Sequence, residues 1–182
     1  QRFIAAESRK LQEKLAGLRA RLVAPGDAAK ADSYASADLF LKGFTWALRY
    51  ETNLNTNDVA SLKRALARGH QRADALLASP QPWATRKGKV LRAYVSAVDG
   101  STQPYGVIIP ASYDGTKPVR LDVVLHGSSK PAGMSELKFG TRFDEGDDAA
   151  KSAPDVDFIE LHPLGRVENC YRWAGETDAR VT

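Results

Sequence analysis

One cysteine, Cys170, stands among 182 residues, so no internal disulfide framework holds this chain and packing must do so. Long apolar runs are missing too. None approaches the roughly 20 residues that span a bilayer, and no charged-then-apolar leader opens the chain. A start at Gln1, without methionine, reads as a mature form whose leading segment has been removed, and implies a periplasmic or extracellular protein. Histidine is scarce, at three residues. Two of them, His126 and His162, make a poor metal site without a carboxylate or thiol partner at ligand spacing, and no metal or other cofactor is expected. There are no internal repeats and no low-complexity tract. With 14 glycines and 9 prolines, disordered and fibrous classes are excluded.

What is present is ordinary globular material. A hydrophobic content of 43% and a charged content of 26% allow one substantial core or two small ones. The net charge of +4 hides an asymmetry: residues 1–90 carry sixteen Lys/Arg against eight Asp/Glu, and residues 91–182 carry ten against fourteen. A basic half can attract nucleic acid or anionic lipid. Here the cations are interleaved with apolar positions, which describes solvated helix surface, and no nucleic-acid partner is expected.

Three helical patterns fill residues 1–80. Leu11, Leu15, Leu18 and Leu22 recur at helical spacing, with Ile4 one heptad earlier, and Ala24-Pro25-Gly26 ends the run. A second helix is predicted from an N-cap at Asp38, carrying Leu39, Phe40, Phe44, Ala47 and Leu48. A third starts at Asn57 or Asp58 and runs through Val59, Leu62, Leu66, Gly69, Ala73 and Leu76, with His70 at the boundary of its stripe. Each stripe can pack on the others or on a neighbouring unit. Residues 81–88 read as a linker. The period then changes to two. Val90 to Val98 alternates before an Asp99-Gly100 turn, and a strand from Tyr105 to Ile109 ends at Pro110. Asp114-Gly115 turns the chain into a further strand, Arg120–Leu125. The acidic segment from Asp144 to Asp148 departs from the EF-hand order and reads as a solvated loop. A last strand, Asp157 to Leu161, precedes a short helix near Trp173, a residue expected to pack.

Chemistry concentrates where the later strands end. The β-branched run Val119–Leu125 stops at His126-Gly127 and the small polar pair Ser128-Ser129. The strand Phe158-Ile159-Glu160-Leu161 leads into His162-Pro163-Leu164-Gly165-Arg166, where His162 could cap the strand end. A strand that ends in a glycine loop can aim backbone N–H groups at an oxyanion, the charge that develops in acyl transfer. Glycine also ends strands for steric reasons alone. A hairpin, a strand ending His-Gly, a long connection, another strand and a Gly-Arg loop together resemble the N-terminal half of an α/β-hydrolase. More narrowly, Asp99-Gly100-Ser101-Thr102-Gln103-Pro104-Tyr105-Gly106 with Gly165–Asp178 resembles the bacterial prolyl oligopeptidase-type serine hydrolases and esterases, over residues 88–178, about half the chain. Where such relatives commonly read Gly-Arg-Gly-Asn-Asn, this chain reads Gly165-Arg166-Val167-Glu168-Asn169, whose extra side chains could narrow the mouth of a site or change what it accepts.

The resemblance implies an α/β fold: a helical region over 1–80, then, over 89–182, the first strands of an α/β-hydrolase sheet that is incomplete in this chain. It implies cleavage of an ester or peptide substrate through an acyl-enzyme. Gly127 or Ser128 would give one oxyanion-hole N–H, and His126 would fix their loop or, less simply, act as a base. Arg166, with Asn169, could bind substrate at the pocket rim; Arg166 could equally hold its own loop through Glu168, Glu176 or Asp178. A Ser–Lys nucleophile from Ser128 or Ser129 with Lys130 lacks the Ser-x-x-Lys spacing. No Gly-x-Ser-x-Gly elbow occurs, so the nucleophile, acid and base would lie beyond Thr182 or on a companion chain. In such a sheet the third strand lies between the fourth and a fifth. Val123, Val124 and Leu125 would therefore form an edge to be covered by the remainder of the hydrolase domain or by a second copy. The alternative is a non-catalytic helical interaction module carrying a small β unit.

Overall fold

The computed structural model describes residues 2–24, 26–127, 132–144, 153–167 and 171–181. Helix α1 (Arg2–Leu22) buries Leu11, Leu15 and Leu18. Helix α2 (Ala28–Tyr50) opens at Asp27, whose carboxylate accepts the Lys30 N–H at 3.1 Å. Helix α3 (Thr56–Ala75) opens with a capping box, Asn55 and Asp58 each accepting the other's backbone N–H, so two otherwise orphaned donors are satisfied. At Gly69 a Cβ would stand 2.6 Å from Leu11 Cδ2, and its absence lets α1 and α3 approach closely. None of the described helices is long and apolar enough to cross a membrane.

After a single turn, α4 (Pro82–Thr85), come strands β1 (Gly88–Val95), β2 (Thr102–Ile109) and β3 (Arg120–Val123), the short helix α5 (Ser135–Gly140), strand β4 (Phe158–Pro163) and helix α6 (Ala174–Val181). The sheet order is β1-β2-β4-β3. The β1–β2 and β2–β4 pairs are antiparallel, whereas β3 and β4 run parallel, with Asp122 opposite Glu160 and Val123 opposite Leu161. The chain is thus a mixed α/β fold, with α5 in the crossover between its parallel strands.

The helices and the sheet share one core. It joins Leu11, Leu15, Phe40, Phe44, Leu62 and Leu66 to Leu91, Ala93, Phe139 and Phe143. Polar groups pin the two layers together. Ser36 Oγ accepts the Ala93 N–H at 3.0 Å and donates to the Ala93 carbonyl at 3.2 Å. Arg72, buried between the Phe40 and Trp83 rings, donates to the carbonyls of Ser36 and Leu91, both at 2.7 Å. Burial pushes its guanidinium down to about 9, against the pull of Asp144, so it remains a cation at neutral pH. Arg68 forks onto the Asp144 carboxylate at 2.7 and 2.5 Å, and the Asp144 backbone bridges to Val90. Among the described residues, the opposite face of the sheet carries a second, smaller cluster, Val107, Ile109 and Leu161. Beyond it Leu121, Val123 and Leu125 are 54, 49 and 56% exposed, and among the described residues no strand pairs with the outer edge of β3.

Several sequence expectations change. The second helix begins at Ala28, ten residues before Asp38. Asp38 lies inside it and accepts the Thr102 hydroxyl at 2.8 Å. Its first turns bury Ala35, Ser36 and Ala37 rather than large side chains, so they show no apolar stripe. The 81–88 segment is packed: Trp83 is buried and its carbonyl accepts from Arg92. The final strand runs to Pro163, and His162 is buried within it instead of capping its end. Asp144 is latched to Arg68 and not solvated, while residues 145–148 lie outside the described residues. Trp173, expected to pack, is 73% exposed.

Candidate functional site

Parallel strands β3 and β4 deliver their carboxyl ends side by side, the place where open α/β sheets hold ligands. The ladder continues one residue past β3, with the Val124 N–H donating to the Leu161 carbonyl at 2.8 Å. Then a tyrosine takes over. The His126 N–H donates to Tyr171 Oη at 2.8 Å, and the Tyr171 hydroxyl donates to the Pro163 carbonyl at 3.1 Å. Tyr171 therefore staples the end of one strand to the end of the other.

A chain of polar side chains crosses the same strand ends. Glu160 Oε2 lies 2.9 Å from His162 Nε2, and His162 Nδ1 lies 3.2 Å from His126 Nε2. The two rings stack at 5.2 Å between centroids. Phe143 leans on His162 at 4.9 Å, and Phe139 meets His126 edge-on at 5.9 Å. Room for Phe143 comes from Gly106, where a Cβ would fall 2.3 Å from the Phe143 ring. Desolvation holds the His126 imidazole below its ordinary value, with neighbouring His162 and Arg142 acting in the same direction. Among the described residues no group of three His, Cys, Asp or Glu could hold a metal.

Gly127 follows His126 at the surface, with open space where a Cβ would stand, so steric crowding does not require a glycine there. Ser128 and Asn169, as well as Ser129, Lys130 and Glu168, lie outside the described residues. Arg166 sits in a turn where Gly165, Arg166 and Val167 all have positive φ, at 66, 55 and 60°. Its guanidinium is bound within the protein. Nε donates to Asp178, Nη1 to Asp99 at 2.8 Å, and Nη2 to Ser96 Oγ at 3.0 Å. Hydrogen bonds from Arg166 and then Ser101 hold the Asp99 carboxyl well below the carboxylate range, and Asp99 and Asp178 in turn raise Arg166.

Beside this turn a cleft of 310 Å³ opens between α2 and the strand ends, lined by Lys42, Trp46, Gln103, Glu136, Leu164 and Arg166 among others. Its charges are internally matched: Lys42 Nζ lies 2.6 Å from Glu136 Oε1 and 2.6 Å from the Thr102 carbonyl. Burial raises the Glu136 carboxyl, against the opposing pull of Lys42.

The structure therefore brings His126 and His162 together, and places Gly127 and Arg166 at the ends of adjacent strands. It adds Glu160, Tyr171 and Asp99, which sequence reasoning did not single out. For Glu160 a signal existed, since residues two apart on a strand share a face and Glu160-Leu161-His162 has that spacing. Comparison with family models, with curated proteins and with solved structures finds no match to this chain.

Proposed function

We propose that this chain is the N-terminal portion of a serine hydrolase that cleaves ester or peptide bonds through an acyl-enzyme, and that it contributes the loop after β3 to the oxyanion hole. The observation that carries the proposal is the sheet. An antiparallel β1–β2 hairpin, followed by β4 and then a parallel β3 at the edge, is the order expected if a fifth strand were to join β3. The His126-Gly127 loop would then stand beside the nucleophile elbow that such a strand leads into. A backbone N–H from Gly127 or Ser128 would meet the oxygen that gains charge as the serine attacks, stabilising the transition state by about 3–4 kcal/mol. Arg166 would shape the pocket rim through the turn it fixes, and Asn169 is the neighbouring candidate for substrate contact. No cofactor is called for. The exposed edge and face of β3 would be covered by the remainder of the hydrolase domain or by a second copy.

The rival is a helical interaction module without chemistry, whose stripes would serve a partner. The stripe residues Leu11, Leu15, Leu62 and Leu66 are consumed in the chain's own core, which removes the feature that favoured it. The full-length gene product, treated with a fluorophosphonate probe, separates the two. Covalent labelling of a serine within a Gly-x-Ser-x-Gly elbow is the expected result. A full-length sequence with no such elbow, and no labelled serine, would leave the hydrolase proposal without a nucleophile.

A further inference from the structure

We infer that Glu160 and His162 are positioning residues, forming with His126 a hydrogen-bonded relay that sets the orientation of the Gly127 backbone at the end of β3. The inference rests on the hydrolase reading only for its catalytic consequence; the relay itself stands on geometry. An ionised carboxylate can only accept, so Glu160 Oε2 at 2.9 Å places the His162 proton on Nε2. The Nδ1 atom of a neutral His162 is then a bare acceptor. At 3.2 Å from it, His126 must present Nε2–H. One carboxylate thus dictates the tautomer of both rings.

The relay holds His126 by its ring, and Tyr171 holds it by its backbone N–H at 2.8 Å. With both fixed, residue 126 has little freedom to swing, and the peptide that bears the Gly127 N–H inherits that constraint. Packing adds to the device: Phe143 leans on His162 and Phe139 meets His126 edge-on. The described charged groups around the pair are Glu160 on β4, its cross-strand neighbour Asp122, which is paired with Arg120 at 2.9 Å, and Arg142 after α5.

The relay also has a condition. A proton added to His162 Nδ1 would set two N–H donors against each other, and the link would open.

The test uses the full-length protein and the variants His162→Phe, Glu160→Leu and Glu160→Gln. Phenylalanine keeps the ring packing and removes both nitrogens. Glutamine keeps an acceptor for His162 Nε2–H, whereas leucine does not. The expected result is a fall in kcat of roughly 10- to 100-fold in the phenylalanine and leucine variants, as for a small misplacement of a catalytic group. KM should stay within about twofold of the parent, as expected for an interaction made only in the transition state. The glutamine variant should recover most of the activity. A folded His162→Phe enzyme with parental kcat overturns the relay. Imidazole ¹⁵N shifts and backbone relaxation provide a readout independent of catalysis. They should show protons on Nε2 of both histidines and, in the leucine variant, a more mobile Gly127 amide. A proton on His162 Nδ1 in the parent at neutral pH overturns the relay, even if His162→Phe fails to fold. If the parent carries no reactive serine, the hydrolase proposal fails, and the NMR result still decides the relay.

Discussion

The two faces of the sheet are finished to different degrees. On one, α2, α3 and α5 bury Leu91, Ala93 and Phe143 in a continuous core, and Arg72 and Ser36 satisfy backbone groups across the layers. On the other, three buried residues form a small cluster, and Leu121, Val123 and Leu125 stand about half exposed beside an edge that no strand among the described residues pairs with. Surface leucines scattered singly are unremarkable. A row of them along a parallel edge strand is different, because parallel strands are ordinarily buried on both faces. The helical layer is thus an integral wall of this unit, whereas the β3 side is left open among the described residues.

The comparison breaks most visibly in the helical wall. Leu66 is buried at the centre of the shared core. Leu66→Asp removes its packing and leaves a carboxylate without a partner, at an expected cost of about 5 kcal/mol or more. Chemical denaturation measures it, and a midpoint equal to the parent's would mean that the α3 stripe is solvent-facing.

A smaller loss is expected where the wall meets the sheet. Gly106→Ala places a methyl within the Phe143 ring, and overpacking of this kind costs about 1–3 kcal/mol. Since Phe143 packs on His162, ring resonances of both histidines should shift as well. Unchanged stability and unchanged histidine resonances would show that Phe143 yields freely and does not support the pair.

The smallest effect belongs to the bare side. With Leu121 and Val123 replaced by lysine, the 182-residue chain should change stability by no more than about 0.5 kcal/mol, and any self-association through the edge should weaken. In the full-length protein the same change should be clearly destabilising, because the added chain would bury those positions. Equal and negligible effects in both would mean that nothing covers β3.

Legibility in the sequence follows the range of the interaction. The large-residue stripes of α1 and α3 announce themselves at helical spacing, and the hairpin is marked by Asp99-Gly100. The start of α2 is concealed because Ala35, Ser36 and Ala37 achieve close approach to β1 with small side chains, and an apolar period never appears. At the site, the Glu160–His162 pair is local and readable. The His162–His126 link requires the parallel register of β3 on β4, which no local pattern encodes. Arg166 divides in the same way: Asp178 lies near it in sequence and was among its candidate partners, whereas Asp99 arrives from a hairpin 67 residues earlier.

The central claim is that the loop after β3 offers a backbone donor to a developing oxyanion. It is tested most directly by the steady-state turnover of full-length Gly127→Pro, which deletes the N–H and restricts φ. With the fold shown intact by circular dichroism, kcat should fall about 100-fold or more. A correctly folded variant that turns over at the parental rate would contradict the assignment of Gly127, leaving only Ser128 to supply the donor.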